Sequence, residues 1–214
     1  MDFNTRSGSG GPSQRPSEEA RRPPPGREFD PSDPVRSFVE TVRRVLFSPR
    51  DFFRGMPRRG GYLNPLIFGA ACTLIGALLT AVLNEVAQVL PGMPILGADI
   101  GFVFSVTFAF VWTMVGLVVS TGIYQLFVRL IIGRNNGGLG ATFRVLCYIL
   151  VVQLLSWLPL VNLLAAIYAL YLGAFGFKEV HSTTYGRAAV VVALPLLLLI
   201  LLFIFATALL SVSG

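Results

Sequence analysis

Beyond residue 64 the chain alternates long apolar runs with short polar or glycine- and proline-rich breaks. The runs fall at about 65–90, 100–132, 141–158, 160–177 and 188–210. A helix rises about 1.5 Å per residue, so the first run is long enough to cross a hydrocarbon core of about 30 Å with some tilt. The second is longer than the core requires. Its last turns, from about Tyr124 to Ile132, are expected to project into the interface, where Arg129 can extend its charge toward water. Pro159, flanked by Trp157 and Asn162, marks a tight reversal between the third and fourth runs. Pattern and length together predict an all-α polytopic membrane helix bundle with five transmembrane helices. The arms of the 141–177 hairpin are at the short end for spanning, and a re-entrant hairpin is the alternative. Either form returns the chain to the side it left.

Ahead of the spans the texture changes twice. Residues 1–33 are rich in Gly, Ser, Pro, Arg and Glu, lack the apolar stretch of a secretory signal, and read as a disordered cytoplasmic tail. Residues 34–64 form an amphipathic and juxtamembrane segment. Asp33-Pro34 offers a cap and a first-turn proline. Val35, Phe38, Val39, Val42, Val45 and Leu46 then recur at helical spacing, with Arg36, Glu40, Arg43 and Arg44 off that stripe. Glu40 and Arg44 are suitably ordered for an i, i+4 pair. Ser48-Pro49 repeats the start signal for a short helix to Arg54 carrying Phe52 and Phe53, followed by a basic loop with Arg58 and Arg59. The expectation is a cytoplasmic amphipathic helix on the membrane surface, meeting lipid or a partner through Arg36, Phe38, Val42, Arg43, Arg44, Phe52, Phe53, Arg54, Arg58 and Arg59. The competing arrangement packs its apolar face on the protein's own membrane helices. The membrane domain itself occupies 65–212.

Composition supports the membrane reading. Of 214 residues, 54% are hydrophobic and 13% charged, against about 25% charged in soluble domains. So little polar cover over so much apolar surface requires lipid as solvent. Residues 1–64 hold 12 of the 17 basic residues. The other five, Arg129, Arg134, Arg144, Lys178 and Arg187, fall in or beside the connections that five crossings place on the same side. By the positive-inside rule the N-terminus is cytoplasmic and the C-terminus extracytoplasmic. Arginine makes up 16 of the 17 basic residues, a bias that suits a GC-rich bacterial genome and a bacterial plasma membrane. Cys72 and Cys147 lie in apolar runs and read as small buried hydrophobes. With one histidine and two cysteines, no metal or other cofactor is expected.

Few residues suggest chemistry. Glu85 is an acid within a span, near its outer end beside Asn84, where a helix end surfacing at the interface explains it. Gln125, Gln153 and Asn162 read mainly as interhelical hydrogen-bonding groups. A polar path through Glu85, Gln125 and Gln153 is the alternative, and it would make the chain a small transporter or channel. Gly69, Thr73, Gly76 and Thr80, with Gly116 and Ser120, have the spacing of close helix packing. The glycine-rich loop at 133–140 lacks the Lys-Ser/Thr and preceding strand of a phosphate-binding loop and reads as a turn. His181 with Glu179 and the nearby hydroxyls lacks the rigid orienting acid and oxyanion site of a hydrolase. No catalytic residue is assigned, and nothing points to nucleic acid.

The pattern as a whole resembles the YIP family of Ypt/Rab-interacting membrane proteins in its bacterial form. The resemblance is carried by Phe-Ser-Pro-Arg-Asp-Phe-Phe-Arg-Gly-Met at 47–56, then Gly60-Gly61 and Asn64-Pro65. It continues with Gly-Gly-Leu-Gly-Ala-Thr-Phe at 137–143, the stretch 144–148, Trp157-Leu-Pro159, and the fourth span ending Gly-Ala-Phe-Gly-Phe-Lys-Glu-Val-His at 173–181, followed by Ala188-Ala189. Where the family often has proline after the tyrosine of span three, this chain has Val151, Val152 and Gln153. The resemblance implies five spans, a cytoplasmic N-terminus and no known enzyme activity. Its eukaryotic members act in vesicle traffic with prenylated GTPases, a role not carried over to a bacterial chain. The expected function is that of a non-enzymatic scaffold or adaptor in the bilayer, with anionic lipid at its cytoplasmic face and protein partners or further copies of itself. A topology reporter fused at Gly214 is expected to read extracytoplasmic; a cytoplasmic reading would refute the odd number of crossings.

Overall fold

A computed structural model describes residues 28–57, 60–89, 101–134 and 136–213. Arg58, Arg59, residues 1–27 and the expected loop at 91–99 lie outside them. Every regular element among the described residues is helical: α1 Pro34–Phe47, α2 Pro49–Gly55, α3 Leu63–Val89, α4 Phe102–Ile131, α5 Leu139–Ile149 with a 3₁₀ turn Leu150–Leu154, α6 Pro159–Val180 and α7 Tyr185–Ser213. Proline at the first position starts α1, α2 and α6, where its missing N–H would have had no helical partner anyway. Asp33 makes no side-chain cap bond to α1. Its main-chain carbonyl accepts the Ser37 N–H, and the Ser37 hydroxyl accepts the Asp30 N–H at 2.6 Å.

Among the described residues four helices are long and apolar enough to cross a bilayer: Leu63–Val86 within α3, α4, α6, and Tyr185–Phe205 within α7. The expected third span, 141–158, is shorter than that. Its regular structure covers Leu139–Leu154, about 26 Å from an α-helix and a 3₁₀ turn together. The two arms of the hairpin are therefore unequal, with α6 at full length and α5 stopping short.

Close approaches between helices fix their directions. A Cβ on Gly69 would meet Cys147, and one on Gly76 would meet Gln153, so α5 runs parallel to α3. Gly176 faces Val145, and Gly173 faces both Ile149 and Val192, so α6 returns antiparallel to α5 and α7. Consequently α3, α5 and α7 begin at the end of the bundle where α4 and α6 finish. Arg129, Arg134, Arg144, Lys178 and Arg187 all belong to this charged end.

The core is concentrated there too. Phe53, Phe68, Tyr148, Leu172, Phe177 and Val191 are fully or almost fully buried in one cluster drawn from α2, α3, α5, α6 and α7. The far half is open. From Leu196 to Phe205 every large apolar side chain of α7 is exposed, as expected of a surface solvated by lipid.

The small residues divide by role. Gly69 and Gly76 bring α3 against α5 and its 3₁₀ turn; at Gly76 a Cβ would sit 2.3 Å from the Gln153 carbonyl oxygen, so only glycine fits. Thr73 is buried and Thr80 half-buried, and each donates its hydroxyl to the carbonyl four residues back. Gly116 faces open space, and Ser120 borders a cleft between α4 and α7. Gly116 thus makes none of the close approach to a neighbouring helix that Gly69 and Gly76 make. Replacing Gly76 by Leu is therefore expected to cost about 1–3 kcal/mol by overpacking, while Gly116→Ala is neutral or slightly stabilising. Thermal unfolding of the detergent-solubilised protein distinguishes the two; equal effects would contradict the packing described.

Candidate functional site

The charged end carries two buried polar clusters and the docked amphipathic segment. The first cluster is built on Arg144. Five residues into α5, its side chain is only 2% exposed. Its Nη1 donates to Glu28 Oε1 at 2.7 Å and to the Pro57 carbonyl at 2.9 Å, while Nη2 donates to the Gly61 carbonyl at 2.9 Å. The guanidinium thus ties together the chain before α1, the connection after α2 and the approach to α3. Gly60 leaves room for it, since a Cβ there would lie 2.1 Å from Nη2. Burial raises the Glu28 carboxyl above the ordinary glutamate range, and the Arg144 charge and hydrogen bond offset this only in part. A raised value means that docking makes the acid hold its proton more tightly than the undocked chain does. The contribution of Glu28 to docking is thus largest at acid pH and is lost as pH rises through the raised value.

The tail boundary shifts accordingly. Residues 1–33 were expected to be solvated, yet Phe29 is buried against Phe68 and Glu28 is held by Arg144. A buried guanidinium needs a countercharge and the nearby aromatic surface needs cover, and both act on this short strap.

The second cluster joins α4, α5 and α6. Thr142 donates to Gln125 Oε1 at 2.6 Å; Gln125 Nε2 donates to Asn136 Oδ1 at 3.2 Å. His181 Nδ1 accepts the Gly137 N–H at 3.1 Å, and Nε2 lies 3.2 Å from the Thr142 hydroxyl. Nδ1 is therefore the unprotonated nitrogen and Nε2 carries the hydrogen, a neutral tautomer. The imidazole stacks on Phe177. The N–H groups of the glycine loop are directed inward, Gly137 to His181 and Gly138 to Asn136. This clasp closes the ends of three helices. It leaves Gln125 buried, whereas Glu85 is exposed at the other end of the bundle, and Gln153 borders a separate cavity between α3 and α4. The cavity that Gln153 borders is lined by neither Gln125 nor Glu85.

The amphipathic segment meets the bundle instead of lying free on a surface. Phe52 and Phe53 are buried, and Phe38 and Val42 are half-buried against the core. Phe38 packs on Phe68 at 5.4 Å and Phe52 on Tyr148 at 4.8 Å between ring centroids. Four of the residues expected to meet lipid or a partner thus meet α3, α5 and α6. The physical reason is that Phe68 and Tyr148, in contact where α3 and α5 run side by side, present aromatic surface that α1 and α2 cover. Arg36, Arg43 and Arg54 remain exposed, while Arg44 pairs with Glu40 along α1. Val35 and Val39 are also exposed, so one side of α1 has no partner among the described residues.

Arg144 and His181 were not singled out as structural anchors. The available signals were a lone arginine inside an apolar run and a lone histidine at its neighbour's end, neither of which names its partners. Long apolar helices around a charged, tightly packed end define a polytopic helical membrane protein whose setting is a lipid bilayer. The Yip1 domain family matches residues 43–207, and the chain belongs to that family. A search of curated proteins and one of solved structures returned no match.

Replacing Arg144 by Met is expected to cost about 3–5 kcal/mol, because it strands the Glu28 charge and two carbonyls. Glu28→Gln, which keeps an acceptor for Nη1 but removes the countercharge, is expected to cost about 1.5–3 kcal/mol. Chemical or thermal unfolding in detergent measures both, and an Arg144→Met protein as stable as the parent would contradict the anchoring role.

Proposed function

We propose that this protein is a non-enzymatic membrane scaffold or adaptor, with the charged end cytoplasmic in a bacterial plasma membrane and the C-terminus extracytoplasmic. The observation that carries the reading is the state of α1. One stripe is packed down by Phe38, Val42 and Val45, while Val35, Arg36, Val39 and Arg43 stay exposed on the adjoining face. A mixed apolar and basic face on a firmly docked helix is pre-organised for recognition, since little ordering cost remains on binding. The buried polar groups of the charged end serve structure: Arg144 holds the strap, and the Gln125, Thr142 and His181 clasp holds helix ends. The outer boundary of the bundle meets lipid.

The test uses the full chain in native membranes with a photo-crosslinking residue at Val39. A defined protein adduct is expected, and it should be lost when Arg36 and Arg43 are both replaced by Glu. A control probe at Leu199, on the lipid-facing part of α7, should give lipid adducts alone. Lipid-only adducts at Val39, or a protein adduct indifferent to the charge reversal, would overturn the adaptor reading.

A further inference from the structure

Two cavities lie end to end along α6 beneath the α1–α2 elbow, and they share Tyr171. The one toward the charged end has a volume of about 410 Å³ and is bordered by Arg50 and Arg54 of α2, Lys178 and Glu179 of α6, and Tyr185 of α7. The next has a volume of about 470 Å³ and is apolar in its residues, with Leu46, Phe47 and Pro49 on one wall and Leu164 and Ile167 on the other. From Lys178 to Leu164 along α6 is about 21 Å. The pair thus forms one groove, cationic at the membrane boundary and greasy toward the bilayer interior.

The cationic end is incompletely neutralised by the groups that face it. Arg50 sits over the Phe175 ring at 4.7 Å, Lys178 pairs with Glu179 at 2.8 Å, and Arg54 approaches the same carboxylate at 3.9 Å. Three cations share one acid. Arg54 is 67% exposed and so keeps its fork free for another acceptor. The groove has a ceiling as well as a floor, because the Tyr168 hydroxyl donates to the Leu46 carbonyl and pins the elbow to α6. Phe47, at the tip of that elbow, is 80% exposed beside the exposed Leu164.

We propose that this groove binds one anionic phospholipid of the surrounding leaflet, with its headgroup phosphate between Arg50, Arg54 and Lys178 and one acyl chain along Tyr171, Ile167 and Leu164. Arginine forks and a lysine ammonium suit phosphate oxygens. The amphipathic tyrosines at 171 and 185 suit the headgroup boundary. The order of the lining residues along α6 matches the order of a lipid, charge first and hydrocarbon after. This site shares the membrane placement of the proposed function but none of the α1 residues it depends on, so the two tests fail independently.

The test is native mass spectrometry of the full chain released from detergent, titrated with phosphatidylglycerol, phosphatidylcholine or inorganic phosphate. One phosphatidylglycerol is expected to be retained well beyond phosphatidylcholine. R50Q/K178Q is expected to weaken that retention about thirty-fold, from two charges each contributing about 1 kcal/mol near an anionic surface. Ile167→Trp, which fills the apolar part, is expected to weaken it while the melting temperature without lipid stays that of the parent. Inorganic phosphate should not displace the lipid. Equal retention of the two lipids, an unaffected R50Q/K178Q protein that melts like the parent, or displacement by phosphate alone would each overturn the proposal.

Discussion

A guanidinium enclosed by apolar helices has to be compensated where it sits, and the charged end of this protein is arranged around that requirement. Arg144 reaches no free water, so its charge is met by Glu28 and its donors by the carbonyls of Pro57 and Gly61. Those carbonyls belong to non-helical chain between α2 and α3, where the backbone has no ladder of its own to satisfy it. One side chain therefore settles two costs together, its own burial and that of an irregular connection. The result draws the chain before α1, the end of α2 and the start of α3 to a single point on α5.

Much of the remaining architecture follows from the aromatic surface that α3 and α5 present side by side. Phe68 and Tyr148 touch there and need cover on their outer side. The amphipathic segment supplies it, placing Phe38 on Phe68 and Phe52 on Tyr148. An interfacial helix would ordinarily gain most of its stability from lipid. Here a protein surface provides it, and α1 retains a second face for another use. The contrast between the two ends of the bundle has the same origin. Contacts are dense where α1, α2, the Arg144 cluster and the His181 clasp meet, and sparse where α7 continues past Pro195 into lipid. Stability is thereby concentrated at one end, and so are the groups able to recognise something outside the bundle.

The sequence showed helices and membrane clearly because both depend on local properties. Runs of apolar residues, prolines at helix starts and the side on which charges fall are read over short distances, and α1 and α2 begin at the residues expected from Pro34 and Pro49. The third run, at the short end for spanning, was less sharply defined, because apolarity does not distinguish a full α-helix from one that ends in a 3₁₀ turn at Leu150. The small-residue stripes were equally ambiguous. Gly76 and Gly116 look alike in sequence, yet one touches a neighbouring backbone and the other faces open space.

By itself, then, the sequence determined that this chain is an all-helical membrane bundle with an amphipathic segment ahead of it, since solvent preference and helical periodicity are carried by neighbouring residues. Tertiary structure alone decided what that segment's apolar face meets, that Glu28 and Phe29 leave the tail for the core, and that Arg144 and His181 are anchors. The partners involved are 116 residues apart for Arg144 and Glu28 and 39 apart for His181 and Thr142. No local pattern encodes contacts at such separations, because they arise only once the helices have packed.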